Sequence, residues 1–250
     1  MRAAAWRLWS KSTMRLRLVV CALAAMSVFV FLLGVAQRVT GGAPRLFIFF
    51  NLFLAWIPLL LALVLADQHP RNRTMWWLVL GLWLLFLPNS PYVLTDVLHL
   101  RWEDSAPSWR FTIQILTLAM TGLLLGMVSL QLIHTELRRR WGRTRAWWAI
   151  GIAIGLASFG VSIGRFGRWN SWDTITQPKL LIRDIVERLL LPQRHPAGSF
   201  TALAMAVLLL FIYVFMYALA GGPLALTDSP TSASMTVHSS GPPEAPQSKG

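Results

Sequence analysis

Residues 75–100 read MWWLVLGLWLLFLPNSPYVLTDVLHL, and this stretch decides the class of the chain. Its first 13 residues, 75–87, are apolar and carry no charge. A helix that crosses a bilayer takes about 20 apolar residues. The run is too short to cross alone, so the polar stretch from Pro88 to Leu100 is either the broken outer half of a membrane helix or a segment folded back into its mouth. Both arrangements bring an amide, a phenol, a carboxylate and an imidazole to the edge of hydrocarbon. Such groups are costly there and mark function by default.

The surroundings agree. Of 250 residues, 55% are hydrophobic and 13% charged, against about 25% charged in soluble domains. Further apolar runs cover 18–36, 46–66, 111–133, 146–163 and 200–220. The expected fold is an all-α polytopic membrane bundle of about six transmembrane helices, the third broken at Pro88–Pro91. It divides into a basic leader (1–17), the six-helix domain (18–220) and a Ser/Pro/Gly-rich tail (221–250) without apolar period, expected to be disordered. The first run is long for a signal peptide and lacks a small-x-small cleavage site after it, so it reads as a retained helix.

The net charge of +13 would suggest nucleic acid in a soluble protein. Here the cations flank apolar runs, as topology signals and lipid-headgroup contacts do, so the expected partners are membrane lipids and no nucleic acid. The leader and residues 134–145 hold five cations each, with Glu136 the single acid between them, whereas 164–199 mixes cations with acids. The positive-inside rule then puts both termini in the cytoplasm and the motif on the opposite face. The single cysteine, Cys21, excludes an intrachain disulfide and a cysteine metal cluster.

Within the motif, Ser90 is a good N-cap and Pro91 suits the first helical position. Read as an α-helix from there, Tyr92, Asp96 and His99 are spaced i, i+4, i+7 and share a face. A second polar run, Gly164-Arg165-Phe166-Gly167-Arg168-Trp169-Asn170-Ser171-Trp172-Asp173, begins where the fifth apolar run ends. With six spans it lies at the same membrane face as the motif, and Asn51 lies at similar depth. Three segments thus converge there. Asp96, His99 and Asp173 are the candidate catalytic residues; Asn51, Asn89, Tyr92, Arg165, Arg168 and Asn170 are the candidate substrate-binding residues.

The runs FLPNSPYVLTDVLHL and GRFGRWNSWD, in this order, resemble the two signatures of the bacterial membrane-protein family designated domain of unknown function 1361 (DUF1361). The resemblance covers most of residues 20–220. It implies a polytopic protein of the bacterial cell inner membrane and brings no activity, so the chemistry rests on the residues.

Three kinds of chemistry fit them. Asp96, His99 and Asp173 could ligate one divalent metal with an open position, although a D-x-x-H pair with one histidine falls short of the multi-histidine patterns that identify such sites. Without metal, Asp96 would orient His99 as a general base, while Arg165 and Arg168 hold a phosphate or carboxylate in bidentate fashion. An enzyme acting on a lipid-linked or anionic substrate would result. Alternatively Asp96 pairs with an arginine and the cluster is structural, in a non-enzymatic component such as a small transporter or an assembly partner. The sequence leaves cofactor and oligomeric state open.

Residues 178–190 read as an amphipathic helix on the membrane surface beside the site. Gly122/Gly126, Gly151/Gly155 and Gly160/Gly164 are spaced for close helix packing within the monomer. His69, His134, His195 and His238 read as isolated, solvated side chains.

Overall fold

The computed structural model describes residues 14–39, 46–68, 73–101, 109–167, 169 and 176–221, with the side chains of 67–68 and 98–101 outside that set. In chain order the elements are α1 (Met14–Val39), α2 (Leu46–Gln68), α3 (Arg73–Phe86), the short α4 (Asn89–Tyr92), a 3-10 segment (Val93–Arg101), α5 (Trp109–Trp141), α6 (Arg143–Ser162), a π turn (Ile163–Gly167), α7 (Pro178–Leu190), a 3-10 turn (Pro192–Arg194) and α8 (Pro196–Leu219). Among the described residues six helical stretches are long and apolar enough to cross a membrane; the third runs through the break, Arg73–Val97, and the fifth through the π turn, Arg143–Gly167. Hydrocarbon offers no water to a backbone N–H or C=O, so an apolar run closes its hydrogen bonds within itself as a helix. The chain is a multi-pass, all-α membrane bundle.

The organising element is α5. It packs against α1, α2, α6 and the broken segment, and its side chains are buried along nearly its whole length. Because its neighbours are helices rather than lipid, it can carry polar groups as ties. Gln114 accepts from Gln37 Nε2 (2.9 Å) and donates to the Val30 carbonyl (3.0 Å), holding α1. Ser129 accepts from Trp83 Nε1 at 3.4 Å, which holds α3. By contrast α1 buries Leu16, Leu23, Val30 and Gln37. These fall seven apart, a single seam, and the rest of the helix faces outward.

Two expected boundaries move. The helix of the first span already includes Met14, inside the basic leader, and Leu16 is buried. Arg15 and Arg17 can reach the headgroup level on long side chains without ending the helix. The fourth span was expected to end at Ile133 with a basic loop after it. Instead α5 continues to Trp141, 33 residues or about 50 Å at 1.5 Å per residue. Cations suit a helix C-terminus, and Arg140 pairs with Glu136 one turn back at 2.5 Å. What stops the helix is Gly142, whose φ of +83° is open to glycine and strained for other residues. One residue therefore replaces the expected loop, and α6 starts at Arg143. Residues 222–250, the expected disordered tail, lie outside the described residues.

Candidate functional site

The break in the third span is a consequence of two prolines. Pro88 and Pro91 have no N–H, so the carbonyls four residues earlier lose their donors. Local substitutes serve the exposed backbone. Leu87 still bonds Trp83 O (2.8 Å), Ser90 N–H takes the Leu87 carbonyl (3.2 Å) that Pro91 cannot serve, and Tyr92 N–H bonds Pro88 O (3.0 Å). Asn89 Nδ2 donates to Phe86 O at 3.0 Å. Ser90 was expected to cap a new helix; it does not. Its hydroxyl donates across to the Ala55 carbonyl of α2 at 3.0 Å, and the residue is fully buried.

Four glycines make room for this irregular backbone. A methyl on Gly122 would lie 2.6 Å from the Ser90 carbonyl oxygen and against Val93, and one on Gly126 would lie 3.0 Å from Ser90 Cβ. A methyl on Gly160 would come within 2.6 Å of the Pro88 ring, and one on Gly164 within 3.2 Å of the Tyr92 ring. The expected packing role thus holds for Gly122/Gly126 and Gly160/Gly164, with the broken segment as the partner. Gly151 and Gly155 differ: a methyl on either meets nothing within 4 Å.

The expected face shared by Tyr92, Asp96 and His99 needs correction. Val93–Arg101 is a 3-10 segment, in which residues three apart align. Tyr92 therefore aligns with Thr95, whose Oγ1 donates to the Tyr92 carbonyl at 2.7 Å, and Asp96 falls on the face of Val93. Val93 and Asp96 are both buried accordingly. Asp96 is 1% exposed and accepts a 2.8 Å hydrogen bond from Asn51 Nδ2. The sequence brought Asn51 and Asp96 to one depth, and the fold joins them.

Beside this pair lies a cavity of about 540 Å³, whose lining includes Asn51, Asn89 and Tyr92. The remaining wall is mostly apolar, from α3, α6 and the underside of α7. Asp96 does not line it and stands behind Asn51. Arg165 sits half-buried in the π turn. Nearby, Asp184 of α7 accepts from Trp169 Nε1 at 2.8 Å, which ties α7 to the segment after α6, and from Arg188 Nε one turn along the same helix at 2.9 Å. The side chain of His99 and residues Arg168, Asn170 and Asp173 lie outside the described residues. Among the described residues no three His, Cys, Asp or Glu side chains converge as a metal site, and of the candidate metal trio only Asp96 is described.

A second polar cluster, at the opposite end of the bundle, escaped the sequence reading. His134, expected to be solvated in a loop, is fully buried on α5. Its Nδ1 and the Tyr213 hydroxyl share a 2.6 Å hydrogen bond. The Tyr217 ring stacks on it at 5.6 Å and the Trp147 ring meets it edge-on at 4.8 Å. Arg138 Nη1 donates to the Tyr217 hydroxyl at 3.2 Å. Arg140 lies 4.4 Å above the ring of Trp76, itself buried. The available signal was Tyr213 and Tyr217, four apart in an otherwise apolar run. His195 is also not free in solvent: it is half-buried with Nε2 3.8 Å from Glu187 Oε1. His69 and His238 lie outside the described residues.

Neither the curated proteins nor the solved structures contain a match to this chain. A family model does match, and it spans residues 50–220, from beside Asn51 through the broken helix, the π turn and α7 to the end of α8. The segments that build the cavity are thus those the family shares, and the chain belongs to the family described as Protein of unknown function (DUF1361).

Proposed function

We propose that the face of the bundle carrying the break is a substrate site on the extracytoplasmic side of a bacterial inner membrane, with both termini cytoplasmic. The substrate is lipid-linked or anionic, and the protein is an enzyme. Asp96, His99 and Asp173 act on it together: Asp96 orients His99, which serves as general base. Arg165 and Arg168 hold its anionic group, a task suited to guanidinium. Asn51, Asn89, Tyr92 and Asn170 fix its polar part. The observation that carries this reading is the 540 Å³ cavity, which Asn51, Asn89 and Tyr92 from two different helices line together with a mostly apolar wall. Apolar pockets of a few hundred Å³ with a few convergent polar groups are the usual form of a small-molecule site.

The 2.8 Å bond between Asn51 and Asp96 favours a second reading, in which the acid fastens α2 to the broken segment and the protein is a non-enzymatic component. Asp96→Asn and His99→Gln separate the two. In the enzymatic reading both variants insert and melt like wild type in detergent yet fail to complement a deletion strain. In the structural reading Asp96→Asn lowers stability by about 1–3 kcal/mol, the cost of disturbing a buried charged hydrogen bond. Full complementation by both variants removes Asp96 and His99 from catalysis.

A further inference from the structure

We infer that the cavity accepts the hydrocarbon chain of a membrane lipid, admitted sideways from the bilayer between α3 and α6 at Gly155. The inference rests on the substrate site proposed above and specifies its ligand: a lipid with a polar head, not a water-borne anion.

The shape of the cavity is the first argument. Its wall on α6 runs through Gly155, Leu156, Phe159, Gly160, Ile163 and Gly164. The nine steps from Gly155 to Gly164, at about 1.5 Å each, make a groove about 14 Å long. Along this wall Gly164 stands beside the Tyr92 ring and Gly160 beside Pro88, whereas Gly155 and Leu156 lie at least a turn further along the helix, away from the break that carries Asn89 and Tyr92. This is the polarity of a lipid, head at one end and chain at the other.

The position of the apolar end is the second. Gly155 is the middle residue of the span Arg143–Gly167. A methyl there would meet nothing within 4 Å, and Leu156 beside it is 47% exposed. The groove therefore opens on the outside of the bundle at mid-membrane depth, where the medium is hydrocarbon. An anion has no path through that medium, whereas a chain passes from lipid to groove without meeting water.

The wall on α7 is the third. Leu181, Ile185 and Leu189 line the cavity from this helix and bring it no polar group. Trp169 holds this helix through Asp184, whose other bond, from Arg188, stays within the helix. On its other sides α7 exposes Leu180, Ile182, Val186 and Leu190, as a helix lying in the headgroup layer does. An all-apolar wall on this side suits a hydrocarbon chain and offers an anion no partner.

Two glycines provide the test. Gly151 and Gly155 both open on empty space, but only Gly155 lines the groove. Native mass spectrometry of the full chain, released from nanodiscs containing phosphatidylglycerol or doped with a polyprenyl phosphate, reads retained lipid directly. Wild type and Gly151→Trp are expected to keep one lipid adduct, and Gly155→Trp to lose it with an unchanged melting temperature. The mass of the adduct names which lipid is held. Gly155→Leu, a smaller plug, is expected to weaken retention and keeps the test decisive if the tryptophan variant does not fold. Equal retention by Gly155→Leu and wild type, or no adduct on wild type, overturns the inference. Failure of the enzymatic reading looks different: Asp96→Asn and His99→Gln complement fully while Gly155→Trp still loses its lipid.

Discussion

The close seat of the broken helix against α5 makes a prediction about sign. Gly122→Ala adds one methyl 2.6 Å from the Ser90 carbonyl oxygen and against the Val93 side chain. Neither neighbour yields easily, because Ser90 is fixed by its bond to Ala55 O and Val93 is β-branched and buried. Either α5 or the broken segment must shift, and overpacking of this kind costs about 1–3 kcal/mol. Alanine also favours a helix over glycine by up to about 1 kcal/mol. Gly151→Ala collects the propensity gain alone, since its methyl meets nothing within 4 Å. The propensity term is common to both, so the two variants should differ by the clash alone, about 1–3 kcal/mol. Reversible unfolding in mixed detergent, followed by tryptophan fluorescence, measures the pair. Gly122→Ala should also weaken ligand retention, because Ser90 lies between the cavity residues Asn89 and Tyr92 in sequence. Equal stability of the two variants would refute the close approach of α5 to the break, and with it the account of how the cavity residues are held.

The buried cluster at the other end makes a coupling prediction. Tyr213→Phe and His134→Leu should each destabilise, Tyr213→Phe by about 1 kcal/mol for the lost hydroxyl bond. The double variant should cost less than their sum by roughly 0.5–3 kcal/mol, and strict additivity in the cycle would show that the two groups do not share a bond. For orientation, reporter fusions at Gly42, Arg143 and Ser234 should read outside, inside and inside; an outside signal at Arg143 would invert the proposed topology.

Much of the fold was legible because hydrocarbon imposes a one-dimensional rule: length and apolarity of a run determine whether it spans. The six spans, the break at Pro88–Pro91 and the family resemblance all follow from residues read in order. Even the partnership of Asn51 with Asp96 was foreshadowed, since six alternating crossings bring both to one face. Three matters needed the tertiary structure. The end of α5 depended on a positive φ at Gly142 and on Glu136 meeting Arg140, not on where charge begins. His134 looked solvated by its basic neighbours and is buried because α6 and α8 cover that side of the helix with Trp147, Tyr213 and Tyr217. The face of Asp96 turned on a 3-10 segment in place of an α-helix. That register rests on cross-chain packing, Val93 against Gly122 and Ser90 on Ala55, and no local pattern in residues 88–100 records where Gly122 and Ala55 will stand. Sequence determines which segments enter the membrane because that choice is between a segment and its solvent; which polar groups meet inside is a choice among segments, and only their packing makes it.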